Sequence, residues 1–180
     1  MIRYFPNILT TSRIFLTAAF AYCFLQEQFI EALILFSLSA TSDFFDGYLA
    51  RRLQITSRSG AILDPIADKL AMFVSYSIFF IAGIIPRWLL YVVIGRDVLI
   101  VSTALLCFLN KVAIEFRPIY SSKINTTIQF IFVVIVLIFK AFSFSISLSP
   151  FMLIVCFSTI YSGAEYAQKY KWIVPQLFKQ

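Results

Sequence analysis

The chain has 180 residues, of which 61% are hydrophobic and only 13% charged, and its mean hydropathy is +0.88. About a quarter of the residues of an ordinary soluble domain are charged, so this composition excludes that class and predicts one integral membrane domain, residues 1–180. The formal net charge of +6 comes from basic residues spread along the chain, which argues against a nucleic-acid-binding protein. Histidine is absent, which excludes an imidazole base and a histidine-bound zinc.

Six apolar stretches follow one another along the chain and predict an all-α fold of six transmembrane helices. Residues 1–11, interrupted by Pro6, are expected to lie at the membrane interface. No small-residue cleavage site follows the first stretch, so the N-terminus is expected to be retained. The stretches are Ser12–Leu25, Phe29–Ala50, Ile66–Ile85, Trp88–Leu109, Ile124–Phe139 and Leu148–Tyr166.

The basic residues predict the orientation of these helices. If the N-terminus is cytoplasmic, twelve of the 15 Lys and Arg residues fall at the inner side. Arg87 and Lys140 then lie outside, and Arg96 lies within the fourth stretch. Such an excess of positive charge is typical of cytoplasmic loops. We therefore expect a multi-pass protein whose N-terminus faces the cytoplasm, and a bacterial inner membrane is the expected location.

Four aspartates lie where the second predicted helix ends and the third begins. A charged residue within a span costs ~2.5–3.5 kcal/mol on insertion scales, so these acids are expected to line a hydrated cavity, to bind cations, or both. Helical spacing places Asp43 and Asp46 in one stripe and Asp64 and Asp68 in another, and an antiparallel hairpin brings the stripes together. Carboxylates without histidine or thiolate suit two hard divalent ions, Mg²⁺ or Mn²⁺, which bind a pyrophosphate substrate.

Small and basic residues accompany the acids. Gly47, Ala50 and Gly60 share their stripes and leave room for a ligand to approach the backbone, and helix packing is the alternative role. Arg51 can stabilise negative charge on a leaving group. Asp68 lies deepest in its predicted span and is the simplest candidate for a general base.

The complete motif is similar to the signature of the CDP-alcohol phosphatidyltransferases at all of its specified positions. It reads Asp43-x2-Asp46-Gly47-x2-Ala50-Arg51-x8-Gly60-x3-Asp64-x3-Asp68. Three further segments resemble the glycerophospholipid branch of that family, namely Pro6-Asn7-x2-Thr10-x2-Arg13, Arg96-Asp97 and Ser122-Lys123-x-Asn125-Thr126.

The resemblance implies a six-helix homodimer with a two-metal site that faces the cytoplasm. It implies transfer of a phosphatidyl group from CDP-diacylglycerol to an alcohol, with release of CMP. The implied metal ligands are Asp43, Asp46, Asp64 and Asp68, with Asp68 also the general base. The residues implied to accommodate the cytidine diphosphate part are Gly47, Ala50, Arg51 and Gly60.

Arg96 and Lys123 are candidates for binding a phosphate on the acceptor. Arg96 lies within a predicted span and needs an anionic partner, so structural pairing with an intramembrane aspartate is the alternative. Asp97 points about 100° away on a helix and is expected to be a poor partner. Phosphate-bearing acceptors are phosphatidylglycerol, which gives cardiolipin, and glycerol 3-phosphate. Residues 95–100 and 117–126 resemble the cardiolipin synthases of the family more closely and slightly favour phosphatidylglycerol.

Two other classes share part of this pattern. A membrane prenyltransferase also holds a pyrophosphate with aspartates and Mg²⁺, but its motifs lack the Gly47-x2-Ala50-Arg51 continuation. A cation channel or transporter would use the four acids as a filter. Metal-dependent release of CMP distinguishes the phosphatidyltransferase from both.

Overall fold

The computed structural model describes residues 5–53, 60–109 and 119–170, with side chains for 12–42, 69–103 and 119–170. Over that part the backbone forms six α-helices and no strand, which confirms the all-α prediction. The helices are α1 (Phe5–Leu25), α2 (Phe29–Leu53), α3 (Gly60–Ile81), α4 (Arg87–Leu109), α5 (Tyr120–Ala141) and α6 (Ser149–Tyr170).

Helices α1, α3 and α5 begin several residues earlier than the apolar stretches predicted, and the difference is largest for α1 and α3. α1 is already helical at Phe5, so Pro6 lies in its first turn and does not interrupt it. Proline is tolerated there because the N–H that it lacks has no intrahelical partner. α3 begins at Gly60 and not at Ile66. The reason is that hydropathy marks where a segment ceases to be apolar, whereas backbone hydrogen bonding continues through the polar residues beyond.

Three helix ends close with the same backbone arrangement. The residue after the last turn has a positive φ, at Glu27 (62°), Gly83 (69°) and Ser143 (55°). The next N–H donates back over the turn, as in Gln28 N–H to the Cys23 carbonyl, at 2.9 Å. This is the Schellman arrangement, which satisfies carbonyls that a helix end leaves unpaired. It lets α1 pass into α2 within three residues.

α1, α2, α3 and the end of α5 form one compact unit. α1 packs against both α2 and α3. The ring centroids of Phe20 on α1 and Phe36 on α2 are 5.4 Å apart. Those of Phe24 on α1 and Phe79 on α3 are 5.3 Å apart. These buried aromatic pairs fix which residues of the three helices lie at the same level.

α4, the first part of α5 and α6 form a second unit, in which α4 packs against α6. One stripe of α6 is buried, with residues recurring every three or four positions as helical periodicity requires. Its members are Val155, Thr159, Ser162, Tyr166 and Tyr170. Ile119, before α5, joins the two tyrosines of this stripe in a small apolar core, against which Ile100 of α4 packs.

α5 is the one helix, among the described side chains, that is long and apolar enough to cross a membrane, with a mean hydropathy of 2.0. Large apolar side chains are also exposed on other helices, including Phe15 on α1 (71%) and Phe157 on α6 (71%). Contact with lipid would cover such side chains without the cost that they carry in water.

Candidate active site

The eight positions of the aspartate motif lie on two helices that both pack against α1. Asp43, Asp46, Gly47, Ala50 and Arg51 belong to α2, and Gly60, Asp64 and Asp68 belong to α3. The backbone is described at all eight positions, whereas the side chains lie outside the described residues. The predicted metal-binding, nucleotide-binding and catalytic roles therefore stay predictions at this point.

The donor set fits a divalent metal ion by its chemistry. All four predicted ligands are carboxylates, the hard oxygen donors that Mg²⁺ and Mn²⁺ prefer. α2 ends at Leu53 and α3 begins at Gly60, so a short connection joins the two helices that carry them. Among the side chains that the structure describes, no three acidic or cysteine residues come together, and the four aspartates are not among those side chains.

Arg96 is held on α4 by three polar side chains. Its side chain is 3% exposed. Nη1 donates to Asp97 Oδ1 at 2.7 Å, and Nη2 donates to Ser122 Oγ at 2.5 Å and to Ser162 Oγ at 3.1 Å. Asp97 lies on α4 beside Arg96, Ser122 lies in the first turn of α5 and Ser162 lies on α6. One guanidinium thus joins three helices of the second unit.

The prediction that Asp97 is a poor partner for Arg96 is wrong. Consecutive residues do diverge by about 100° around a helix, but the arginine side chain is long enough to bring Nη1 back to its neighbour's carboxylate. Structural pairing, the alternative to phosphate binding, is therefore present. Arg96 Nε is buried and has no hydrogen-bond partner. Binding of an acceptor phosphate by Arg96 stays a prediction.

Lys123 lies on the first turn of α5 and its side chain is exposed. It directly follows Ser122, whose hydroxyl accepts a hydrogen bond from Arg96. The structure thus places the two candidate basic residues at neighbouring positions of the second unit. They differ in environment, because Arg96 is buried in an ion pair whereas Lys123 is accessible to a ligand.

A ladder of buried polar side chains between α5 and α6 was not predicted. Asn125 Oδ1 accepts from Ser158 Oγ at 2.8 Å and from Thr159 Oγ1 at 3.0 Å. Gln129 Nε2 donates to Thr159 Oγ1 at 3.1 Å. The available signal was the spacing of Asn125 and Gln129, four residues apart in an apolar stretch. The ladder fixes α5 against α6 next to the Arg96 cluster.

Replacement of Arg96 by leucine is expected to lower the free energy of unfolding by about 3 kcal/mol, because it removes the cation of a buried ion pair. Denaturant titration of the purified protein in detergent measures the change. Gly163→Ala is the matched control: its added Cβ would lie 3.6 Å from Arg96 Cγ, an ordinary contact. We expect this control to retain the wild-type stability or to gain up to about 1 kcal/mol, because alanine favours a helix interior more than glycine does. Equal stability of Arg96→Leu and wild type would contradict a structural role for the ion pair.

Comparison with known proteins decides the family. The family model described as CDP-alcohol phosphatidyltransferase matches residues 3–161. The chain belongs to the CDP-alcohol phosphatidyltransferase family. The resemblance carried by the aspartate motif is thereby confirmed, and the match extends over all six helices apart from the end of α6.

Curated relatives fall into two groups. The chain is 31% identical to the cardiolipin synthase (CMP-forming) of Rattus norvegicus, over 89% of this chain and 59% of the rat protein. It is 30% identical to the human protein of that name, over 88% of this chain and 58% of the human one. The CDP-diacylglycerol--glycerol-3-phosphate 3-phosphatidyltransferase of Aquifex aeolicus is 34% identical, over 67% of this chain and 68% of that protein. The chain thus spans less than two thirds of the two cardiolipin synthases.

Proposed function

We propose that this protein is an enzyme of phospholipid biosynthesis that transfers the phosphatidyl group of CDP-diacylglycerol to the hydroxyl of a glycerol-type acceptor and releases CMP. The observation that carries the proposal is the complete aspartate motif on α2 and α3, in a chain matched by the family over residues 3–161. Relatives whose names specify CMP formation and CDP-diacylglycerol support it.

The aspartates of the motif would hold two divalent ions, Mg²⁺ or Mn²⁺. When bound, such ions neutralise a pyrophosphate and stabilise charge on the attacking and leaving oxygens. The residues that would hold them are Asp43, Asp46, Asp64 and Asp68. Gly47, Ala50 and Gly60 would leave space for the cytidine diphosphate part of the donor, and Arg51 would donate hydrogen bonds to its phosphates.

The reaction then needs one proton transfer. Asp68 accepts the proton of the acceptor hydroxyl as general base. The acceptor oxygen forms a bond to the phosphorus that carries diacylglycerol, and the bond from this phosphorus to the bridging oxygen breaks. The bridging oxygen leaves with CMP, whose negative charge Arg51 stabilises. The chain contains no histidine, so a carboxylate is the simplest group for this step.

We further propose that the six helices span the membrane as one homodimeric domain, residues 1–180. Residues 1–11 would lie at the interface, and the N-terminus and active site would face the cytoplasm of a bacterium. Helices α2 to α6 contain 22 to 25 residues, which exceeds the ~20 needed to cross ~30 Å of hydrocarbon. The hydropathy of α5 and the inner excess of basic residues support the same arrangement.

For the acceptor we propose phosphatidylglycerol, with cardiolipin as the product, and glycerol 3-phosphate as the second candidate. Both carry a phosphate, for which the accessible Lys123 and the neighbouring Arg96 are the candidate ligands. The sequence similarity around these residues and the names of the rat and human relatives favour phosphatidylglycerol. The name of the Aquifex relative supports the second candidate.

The test uses purified protein, CDP-diacylglycerol, Mg²⁺ and one acceptor at a time, with the product identified by mass. Cardiolipin together with one CMP per turnover is the expected result. Phosphatidylglycerophosphate from glycerol 3-phosphate would establish the second candidate. A folded protein that releases no CMP with either acceptor would contradict the proposed reaction and reopen the prenyltransferase and channel alternatives.

A further inference from the structure

Arg13 is a buried cation on the face of α1 that packs against other helices. It is 5% exposed. Thr17, Phe20 and Phe24, which follow at steps of four, three and four residues, are also buried and complete one helical stripe. Arg13 therefore extends the packed face of α1 beyond its aromatic part. A guanidinium at such a position requires an anion or several hydrogen-bond acceptors nearby.

The Phe20–Phe36 pair shows what lies level with Arg13 on α2. α1 and α2 are antiparallel, because only residues 26–28 connect them. Arg13 precedes Phe20 by seven residues, and Asp43 follows Phe36 by seven residues. Seven residues make about two helical turns and return to the same face. Asp43 therefore occupies the position of α2 that is level with Arg13.

The Phe24–Phe79 pair shows in the same way which residue of α3 lies level with Arg13. α3 runs in the same direction as α1, because α2 reverses the chain between them. Arg13 precedes Phe24 by eleven residues, and Asp68 precedes Phe79 by eleven residues. Eleven residues make about three turns, again on the same face. Two independent aromatic contacts thus place Arg13 level with an aspartate of α2 and with an aspartate of α3.

We propose that Arg13 is a fixed cation of the donor site, which donates hydrogen bonds from its guanidinium to the diphosphate of CDP-diacylglycerol. This inference rests on the proposed function. The total negative charge of four carboxylates equals the total positive charge of two divalent ions. The carboxylates and ions together therefore leave the negative charge of the bound diphosphate uncompensated. An arginine compensates that charge and presents paired N–H groups that match phosphate oxygens. The donor phosphates would then be bound by two arginines on different helices, Arg13 on α1 and Arg51 on α2.

Isothermal titration calorimetry tests this role. It measures the Kd for CDP of the purified full-length protein at saturating Mg²⁺. Arg13→Gln is expected to raise the Kd for CDP about ten- to a hundredfold, as loss of hydrogen bonds to a charged group does. Arg13→Lys keeps the charge but loses the paired donors, and we expect a several-fold increase. Thr17→Val, a change at the next buried polar position of α1, is the matched control and should bind CDP as wild type does.

Binding of Mn²⁺ without nucleotide separates this role from a structural one. Removal of a cation beside the carboxylates should leave Mn²⁺ affinity unchanged or raise it. Loss of Mn²⁺ affinity in parallel with CDP affinity would overturn the inference, and so would an unchanged Kd for CDP in Arg13→Gln or Arg13→Lys. Failure of the wild-type protein to bind CDP with Mg²⁺ would instead overturn the proposed function.

Discussion

Replacement of Asp68 by asparagine is expected to lower the rate of CMP release by at least about a hundredfold, the lower end of what a general base contributes. The amide cannot accept the proton of the acceptor hydroxyl, and it is a weaker metal ligand than a carboxylate. The initial rate of CMP release at saturating CDP-diacylglycerol and acceptor measures the loss. Raising the Mg²⁺ concentration should not restore it, because the missing base is not supplied by the metal.

The control for this variant is Glu31→Gln, the same change of charge at an exposed position on the first turn of α2. We expect Glu31→Gln to retain the wild-type rate. Asp68→Asn should also unfold at the wild-type denaturant concentration, since the change conserves side-chain volume. Retained turnover in Asp68→Asn would show that another group accepts the proton.

Removal of divalent ions with a chelator is expected to abolish CMP release, and either Mg²⁺ or Mn²⁺ should restore it. Without ions, four carboxylates and the diphosphate of the donor bring together charges of one sign, which opposes donor binding. The measurement is the initial rate as a function of free Mg²⁺ after exhaustive chelation. Recovery should saturate with a dependence steeper than first order when two ions are needed.

The control for chelation is the unfolding transition of the metal-free protein. It should remain cooperative, because the described helices of each unit pack through buried apolar side chains, such as Phe20 and Phe79 in the first unit and Leu89 and Val155 in the second. A loss of activity without unfolding then assigns the ions to catalysis. Full turnover in the chelated protein would contradict the two-metal site.

Much of the architecture was predictable, because a helix is a local structure with a local signal. Six apolar stretches predicted six helices, and all six are present in the described part of the chain. The largest differences are at the starts of α1 and α3, where the helix continues through polar residues such as Asp64. Hydropathy carries no information about those residues, whereas the spacing of the aspartates already required a helix.

The surroundings of Arg96 were only partly predictable. Its need for an anion followed from its position within an apolar stretch, but its partners did not. Ser122 and Ser162 are 26 and 66 residues away in the chain. Side-chain length also matters, because the ion pair with Asp97 depends on how the guanidinium folds back. Neither the distant serine partners nor the conformation of the Arg96 side chain produces a periodic pattern in the sequence.

The aspartate motif, its carboxylate-only chemistry and the family were determined by the sequence alone, because they depend on residue types at short fixed spacings. The level of Arg13 relative to Asp43 and Asp68 was decided only by the tertiary structure. It follows from two aromatic contacts between helices, Phe20 with Phe36 and Phe24 with Phe79. Helical periodicity gives the face of each residue, but the axial position of one helix against another depends on which side chains pack together across the core.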